Sequence, residues 1–231
     1  MSVLNLIGVG PGDPELLTLK ATRLIAAAAV VAYPHKPGEA SLAFDIAKSH
    51  VSPRAVRLPV DIPMSVEPGP AQAVYDAIAE TLAAHVTAGR SVAWLCEGDP
   101  LFYGSAIYLL DRLAGRIPIG IVPGVTSLTA AAAAAARPLA TRSQVLKVLP
   151  APLPDETLEA ELASGAAAIV KLGRHFDRIR ALLTRLGRAE AAVIVEHATQ
   201  SRERVTPLLA FAATKRPYFS VLLVPAPDPA P

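Results

Sequence analysis

The stretch Gly8-Val9-Gly10-Pro11-Gly12-Asp13 sets three glycines at alternate positions, which lets a backbone turn tightly and lie close against a ligand. It follows a run of β-type residues and precedes a helical one, the place where open α/β sheets collect ligands. A dinucleotide site fails on two counts. The spacing is G-x-G-x-G rather than G-x-G-x-x-G, and the end of the next strand, Val30-Val31-Ala32-Tyr33-Pro34, lacks the acid that would hold a ribose. No lysine stands in a phosphate-loop pattern. These features argue against a nicotinamide-dependent oxidoreductase and leave the loop two readings, ligand contact or structural turn.

Two later loops have related chemistry. Glu97-Gly98-Asp99-Pro100-Leu101-Phe102-Tyr103-Gly104 places two carboxylates beside glycines and aromatics, directly after an apolar strand. That set suits a cationic or hydroxylated ligand, although Asp99 could instead cap the helix that follows. In Pro123-Gly124-Val125-Thr126-Ser127 the two hydroxyls can meet a ligand or cap an alanine-rich helix, and the two roles are compatible. The histidines His35, His50, His85, His175 and His197 are scattered, and structural or exposed roles suit them better than catalysis. Cys96 and Trp94, on the strand before the second loop, read as packing residues.

The elements that must position these loops alternate along the chain. Strands are expected at 3–9, 29–33, 55–58, 91–95 and 117–122, with helices at 15–27, 41–49, 71–88 and 103–113. In the third of these helices Val74, Ile78, Leu82 and Val86 recur every four residues and share one face. After Pro123 a helix at 127–136 leads to strands at 145–149, 167–171, 192–196 and 219–224. Helices are expected around Leu158 and Ile179 and over 205–213. Such alternation predicts an α/β fold with mainly parallel sheets covered by helices. The number of strands favours two α/β domains, 1–120 and 121–231. The proline-rich segment 59–70 reads as a connection, and the tail 225–231, with four prolines in seven residues, as disordered.

Composition limits the function classes. The 231 residues carry 22 Lys and Arg against 20 Asp and Glu, a net charge of +2 that makes no electrostatic case for nucleic acid or an anionic membrane. Hydrophobic residues at 52% exclude a disordered chain. The mean hydropathy of +0.39 owes much to 44 alanines, and the longest clean apolar run, 24–33, is too short to span a bilayer. A single cysteine cannot form an internal disulfide, no cluster resembles a metal site, and no secretory signal is visible. A soluble cytoplasmic protein is expected.

The three loops in this order resemble the tetrapyrrole (corrin and porphyrin) methylases, the class III S-adenosylmethionine-dependent methyltransferases. The matching stretches are G-V-G-P-G-D-P-E-L-L-T-L-K-A from Gly8 to Ala21, G-D-P-L-F-Y-G from Gly98, and P-G-V-T-S from Pro123. The resemblance covers essentially the whole chain. Further stretches are similar to the branch acting on C20 of precorrin-2: Cys96-Glu97-Gly98-Asp99 through Ser105, Val148-Leu149-Pro150-Ala151, Lys171-Leu172-Gly173-Arg174, and Pro217-Tyr218-Phe219-Ser220.

The resemblance implies a tetrapyrrole methylase fold, two α/β domains with a cofactor cleft between them, in a homodimer. It implies S-adenosyl-L-methionine as methyl donor, S-adenosyl-L-homocysteine as product, and conversion of precorrin-2 to precorrin-3A in cobalamin biosynthesis. By motif, the cofactor residues are Pro11, Asp99, Phe102, Thr126, Ser127, Leu172, Ala198 and Ser220. For loss of the proton at C20 the candidate bases are Asp99, Glu97 and Tyr103. A polycarboxylate substrate calls for cations, for which Arg137, Arg142, Lys147 and Arg174 are candidates. Arg112, Arg178, Arg180 and Arg185, on helices, are expected at the solvated surface. The segment 59–70 is a candidate cover for the substrate. Other readings are the cobalt-loaded macrocycle of the anaerobic pathway, another precorrin carbon or uroporphyrinogen III, and a binding protein without turnover.

Overall fold

Near-continuous apolar runs such as Val92-Ala93-Trp94-Leu95-Cys96 have no polar face, so they must be covered on both sides. The computed structural model of the chain, which describes residues 2–63, 68–212 and 219–227, covers them accordingly. The chain divides into two units, 1–126 and 127–231.

In the first unit the elements run β1 (Leu4–Gly8), α1 (Leu19–Ala27), β2 (Val30–His35), α2 (Leu42–Ala47), β3 (Val56–Asp61), α3 (Pro68–Thr87), β4 (Val92–Cys96), α4 (Ile107–Leu113) and β5 (Ile119–Val122). The sheet order is β3-β2-β4-β1-β5, every pairing parallel. One face packs Leu4, Leu6, Val30, Val92 and Trp94 against α3 and α4. The other packs Ile7, Val31, Ala93 and Leu95 against α1 and α2. On α3 the expected stripe holds, with Tyr75 completing it beside Ile78, Leu82 and Val86. Arg112 fastens α4 to α3 through Asp76 at 2.6 Å and Gln72 at 2.8 Å. It is thus a clamp between helices rather than a solvated charge.

Several expected boundaries move. Asp13 accepts from the Glu15 amide at 2.8 Å and caps a 3-10 turn at Pro14–Leu16. Thr18 then accepts from the Ala21 amide and caps α1, so the helix begins at Leu19, not at 15. Strand β3 continues through Pro59 to Asp61 at the sheet edge, where a proline costs no ladder bond. The expected connection 59–70 therefore shrinks to 62–67, and of it residues 64–67 lie outside the described residues. Helix α4 starts at Ile107 rather than 103, because Tyr103 has a left-handed φ of 53° that breaks helical continuity. Strand β5 pairs with β1, which puts the segment around the expected domain boundary in the first unit.

The second unit contains α5 (Ser127–Ala134), β6 (Leu146–Pro150), α6 (Asp155–Leu162), β7 (Ala166–Val170), α7 (Phe176–Arg185), β8 (Val193–Glu196), β9 (Arg204–Pro207) and β10 (Ser220–Val224). Its order is β6-β7-β10-β8-β9. Only β6 and β7 pair in parallel; β10 runs antiparallel to β7 and β8, and β9 antiparallel to β8. The expectation of mainly parallel sheets thus holds for the first sheet and is corrected for the second. The short link from β8 to β9 permits only a hairpin-like return. The expected helix over 205–213 is also corrected. Val205 and Thr206 are β-branched and Pro207 cannot continue a helix, so this stretch forms β9 and a 3-10 turn at Leu208–Ala210, while residue 213 lies outside the described residues.

The core of this unit joins Ile169, Ile194 and Leu222 to Phe176, Ile179 and Leu182 of α7. Phe176 and Phe211 stack at 5.0 Å. Buried Arg188 donates to the carbonyls of Leu162, Gly165 and Pro225, fixing three chain ends with one guanidinium. Of the expected disordered tail, 225–227 continue irregularly after β10 and 228–231 lie outside the described residues.

Candidate functional site

In a fully parallel sheet the loops after β1, β4 and β5 leave from the same edge. Here they lock onto one another through backbone atoms. Val9 donates to Cys96 at 2.8 Å, and Gly10 and Gly98 exchange both backbone bonds in an antiparallel bridge. A Cβ on Gly8 would stand 2.6 Å from both the Gly124 nitrogen and the Gly98 oxygen, and one on Gly124 would stand 2.1 Å from the Gly98 oxygen. Gly10 and Gly98 also take left-handed φ values of 81° and 64°. The glycine loop is therefore a structural turn at Gly8 and Gly10, used for backbone against backbone.

Asp99 holds this knot. Its Oδ1 accepts from the Leu101 amide at 2.9 Å and its Oδ2 from the Gly124 amide at 3.0 Å. It does not cap α4, whose N-cap position is Ala106 with no side-chain bond. Glu97 keeps solvent access at its surface, yet burial of its carboxyl raises its pKa above the ordinary carboxylate range, opposed by the positive charge of Lys36. Tyr103 is exposed and meets Phe102 edge-on at 5.1 Å. Pro11 is buried in the first loop, Thr126 precedes α5, and Ser127 is its exposed first residue. Burial pushes the Cys96 thiol pKa up, so this residue packs and does not react.

The remaining cofactor candidates meet at one end of the second sheet. Because β10 is antiparallel to β7 and β8, its first residue, Ser220, lies at the end where those strands finish. Leu172 follows β7, and Ala198 follows β8 by two residues. The Leu172 side chain is in the core, so only its main chain is available to a ligand. Lys171, His197 and Thr199 at this end all have left-handed φ, at 59°, 50° and 66°. Two buried atoms there have no hydrogen-bond partner: Glu196 Oε2 and His197 Nδ1. Burial and the charge of Arg202 lower the His197 pKa, against a bond to Gln200 that raises it.

The basic candidates separate. Arg174, exposed, stands three residues beyond Lys171 on the strand end that carries Leu172. Lys147 is the second residue of β6, at the opposite end, and is engaged by Glu161 at 3.1 Å and by that residue's carbonyl. Arg137 donates to Ala191 just ahead of β8, also at the opposite end, and Arg142 lies in the turn leading into β6. Arg178 holds Asp155 and the Ala151 and Leu153 carbonyls, Arg180 donates to Phe211, and Arg185 pairs with Glu159. Arg178 and Arg180 are thus ties from α7 to neighbouring loops, whereas Arg185 is at the solvated surface as expected, paired with Glu159 of α6.

In the first unit the three loops are tied together through their main chain. In the second unit the two unpartnered buried atoms, Glu196 Oε2 and His197 Nδ1, mark a place that calls for a polar ligand. The sequence reading missed Glu196. The signal was present, since an acid closes the otherwise apolar run Val193-Ile194-Val195. Among the described residues no group of three or more His, Cys, Asp or Glu could hold a metal ion, and no helix is long and apolar enough to cross a membrane.

The family model described as Tetrapyrrole (Corrin/Porphyrin) Methylases matches residues 3–212. A precorrin-2 C(20)-methyltransferase of Sinorhizobium sp is 40% identical over 95% of this chain and 93% of its own. A cobalt-precorrin-2 C(20)-methyltransferase of Salmonella typhimurium is 33% identical over 96% of this chain and 95% of its own. Among solved structures, a uroporphyrin-III C-methyl transferase from Thermus thermophilus complexed with S-adenyl homocysteine superposes with a TM-score of 0.71. That structure is 24% identical and covers 97% of this chain and 92% of its own.

Proposed function

Because the chain belongs to the tetrapyrrole (corrin/porphyrin) methylases, we propose that it methylates precorrin-2 at C20 from S-adenosylmethionine, giving precorrin-3A in cobalamin synthesis. The observation that carries this reading is the 40% identity to a precorrin-2 C(20)-methyltransferase over nearly the full length of both chains. The lower identity of 33% to the cobalt-precorrin-2 enzyme favours the metal-free macrocycle.

The bound cofactor supplies a methyl group already activated on a sulfonium. The chain's task is then to hold and orient, and a well-oriented site is worth about 7–11 kcal/mol. Pro11, Asp99, Phe102, Thr126 and Ser127 hold the cofactor from the first three loops, with Leu172, Ala198 and Ser220 from the end of the second sheet. Asp99 acts through the knot, since both of its oxygens already accept backbone donors. Glu97 is the better base for the proton lost at C20, because its raised pKa moves it toward the working pH. Arg174, at the ligand end of the second sheet, meets a substrate carboxylate. A homodimer in the cytoplasm belongs to the same proposal, and sedimentation equilibrium checks the dimer.

The test is methyl transfer from labelled S-adenosylmethionine to precorrin-2, with and without cobalt, the product read by mass spectrometry and carbon-13 NMR. One methyl at C20 is expected, faster on the metal-free macrocycle. A methyl at another carbon overturns the position, and cofactor binding without turnover on any tetrapyrrole overturns the enzyme reading.

A further inference from the structure

Glu196 closes β8 with a side chain 10% exposed, and its Oε2 has no hydrogen-bond partner. A buried carboxylate oxygen without a donor is costly, and native structures keep few such groups without a reason. Its nearest cation does not supply one. Arg204 lies directly across on β9, but its Nε is 4.0 Å away, beyond hydrogen-bond range, and its side chain is 62% exposed. On the other side Glu196 pairs in register with Ser220, and directly opposed residues of antiparallel strands share a face. Two residues later comes Ala198, and the adjacent His197 also carries a buried, unpartnered ring nitrogen. The orphaned carboxylate thus stands among the residues to which the proposed function assigns the cofactor, while carrying no assigned role itself.

We propose that Glu196 is a specificity-determining residue that accepts a hydrogen bond from the adenosyl part of the cofactor. This rests on the cofactor reading above. Only a donor satisfies a carboxylate, and the adenosyl group has two kinds, the exocyclic amine of its base and the hydroxyls of its ribose. A ligand lacking the right donor leaves the buried oxygen unpaired, which is how polar sites reject close analogues.

Isothermal titration of the whole protein with S-adenosylhomocysteine, S-inosylhomocysteine and the 2′-deoxy and 3′-deoxy analogues tests this without turnover. The wild type is expected to bind S-adenosylhomocysteine about tenfold to a hundredfold more tightly than the analogue missing the partner donor. Loss on the inosyl analogue assigns the amine, and loss on a deoxy analogue assigns the ribose. In Glu196→Ala that discrimination collapses, whereas Glu196→Gln, which keeps an acceptor oxygen and guards against misfolding, retains part of it. Arg204→Met is expected to discriminate as the wild type does. The same ratios in wild type and Glu196→Ala overturn the assignment, as does an Arg204→Met protein that reproduces the loss. Failure of the wild type to bind S-adenosylhomocysteine at all overturns the cofactor reading, and this assignment with it.

Discussion

The Asp99 carboxylate accepts the backbone N–H of Gly124 at 3.0 Å, and the bond joins strands that are not neighbours. Asp99 follows β4 and Gly124 follows β5, with β1 between them in the sheet. The link therefore passes over the end of β1, where Gly8 stands with the Gly124 nitrogen and the Gly98 oxygen each 2.6 Å from any Cβ it might carry. One side chain and three glycines thus set the relative position of all three loops.

Removing that side chain should loosen the loops together. Asp99→Ala loses two bonds to a carboxylate and is expected to cost about 2–3 kcal/mol, discounted for the exposed one. Asp99→Asn keeps one acceptor oxygen and should cost roughly half. Urea denaturation gives the order, and titration with S-adenosylhomocysteine should show weaker binding in the same order. Equal stability for Asp99→Ala and wild type would mean the knot does not depend on this carboxylate.

The glycines should divide sharply by their surroundings. Gly124→Ala drives a methyl to within 2.1 Å of the Gly98 oxygen, a backbone atom that cannot yield cheaply, and is expected to cost more than about 3 kcal/mol or prevent folding. Gly89, just after α3, has nothing within 4 Å of an added Cβ but a left-handed φ of 81°. Gly89→Ala therefore meets only backbone strain and should cost about 1–2 kcal/mol. Thermal unfolding of the two variants reads both effects, and equal losses would refute the packing argument.

How much of this was legible follows from what each signal encodes. Apolar runs and turn residues located most strands within two residues, because burial on both faces forces composition. Pairing direction is not written in a strand's own residues, so the antiparallel placement of β10 and β9 was not visible. The helix expected over 205–213 fails at its start, where β-branched Val205 and Thr206 pair as strand and Pro207 cannot continue a helix. Alternate glycines announced a tight turn at Gly8 and Gly10. That Gly98 and Gly124, far away in sequence, press on Gly8 is a tertiary fact. Likewise the acid of Glu-His-Ala-Thr was in plain view, but its burial was not.

Cys96 should be silent in the native state. It is 5% exposed, and burial, followed by the negative charges of Asp99 and Glu97, pushes its thiol pKa up, so little thiolate forms. With a disulfide reagent, the folded protein should label only as fast as it unfolds globally, and denaturant should release one thiol per chain. Fast labelling under native conditions would show that the end of β4 opens locally, against the knot described above.

Glu97 links the site to pH, and its sign can be worked out. Burial raises the folded pKa above the value in the unfolded chain. Between those two values the folded state binds more protons, so stability falls as pH rises through that window and the penalty is complete above the folded pKa. Glu97→Gln removes the penalty. It should be more stable than wild type near neutrality and no different below the ordinary carboxylate range, where both side chains are uncharged. Lys36 opposes the burial effect, so Lys36→Met should widen the gap. If Glu97 also accepts the C20 proton, Glu97→Gln gains stability while methyl transfer slows, a trade common where an active site holds an uncomfortable charge. Chemical denaturation across pH, run beside single-turnover rates, reads both. A Glu97→Gln protein as stable as wild type at every pH would show a solvated carboxyl, and one with unchanged rate would remove Glu97 as the base.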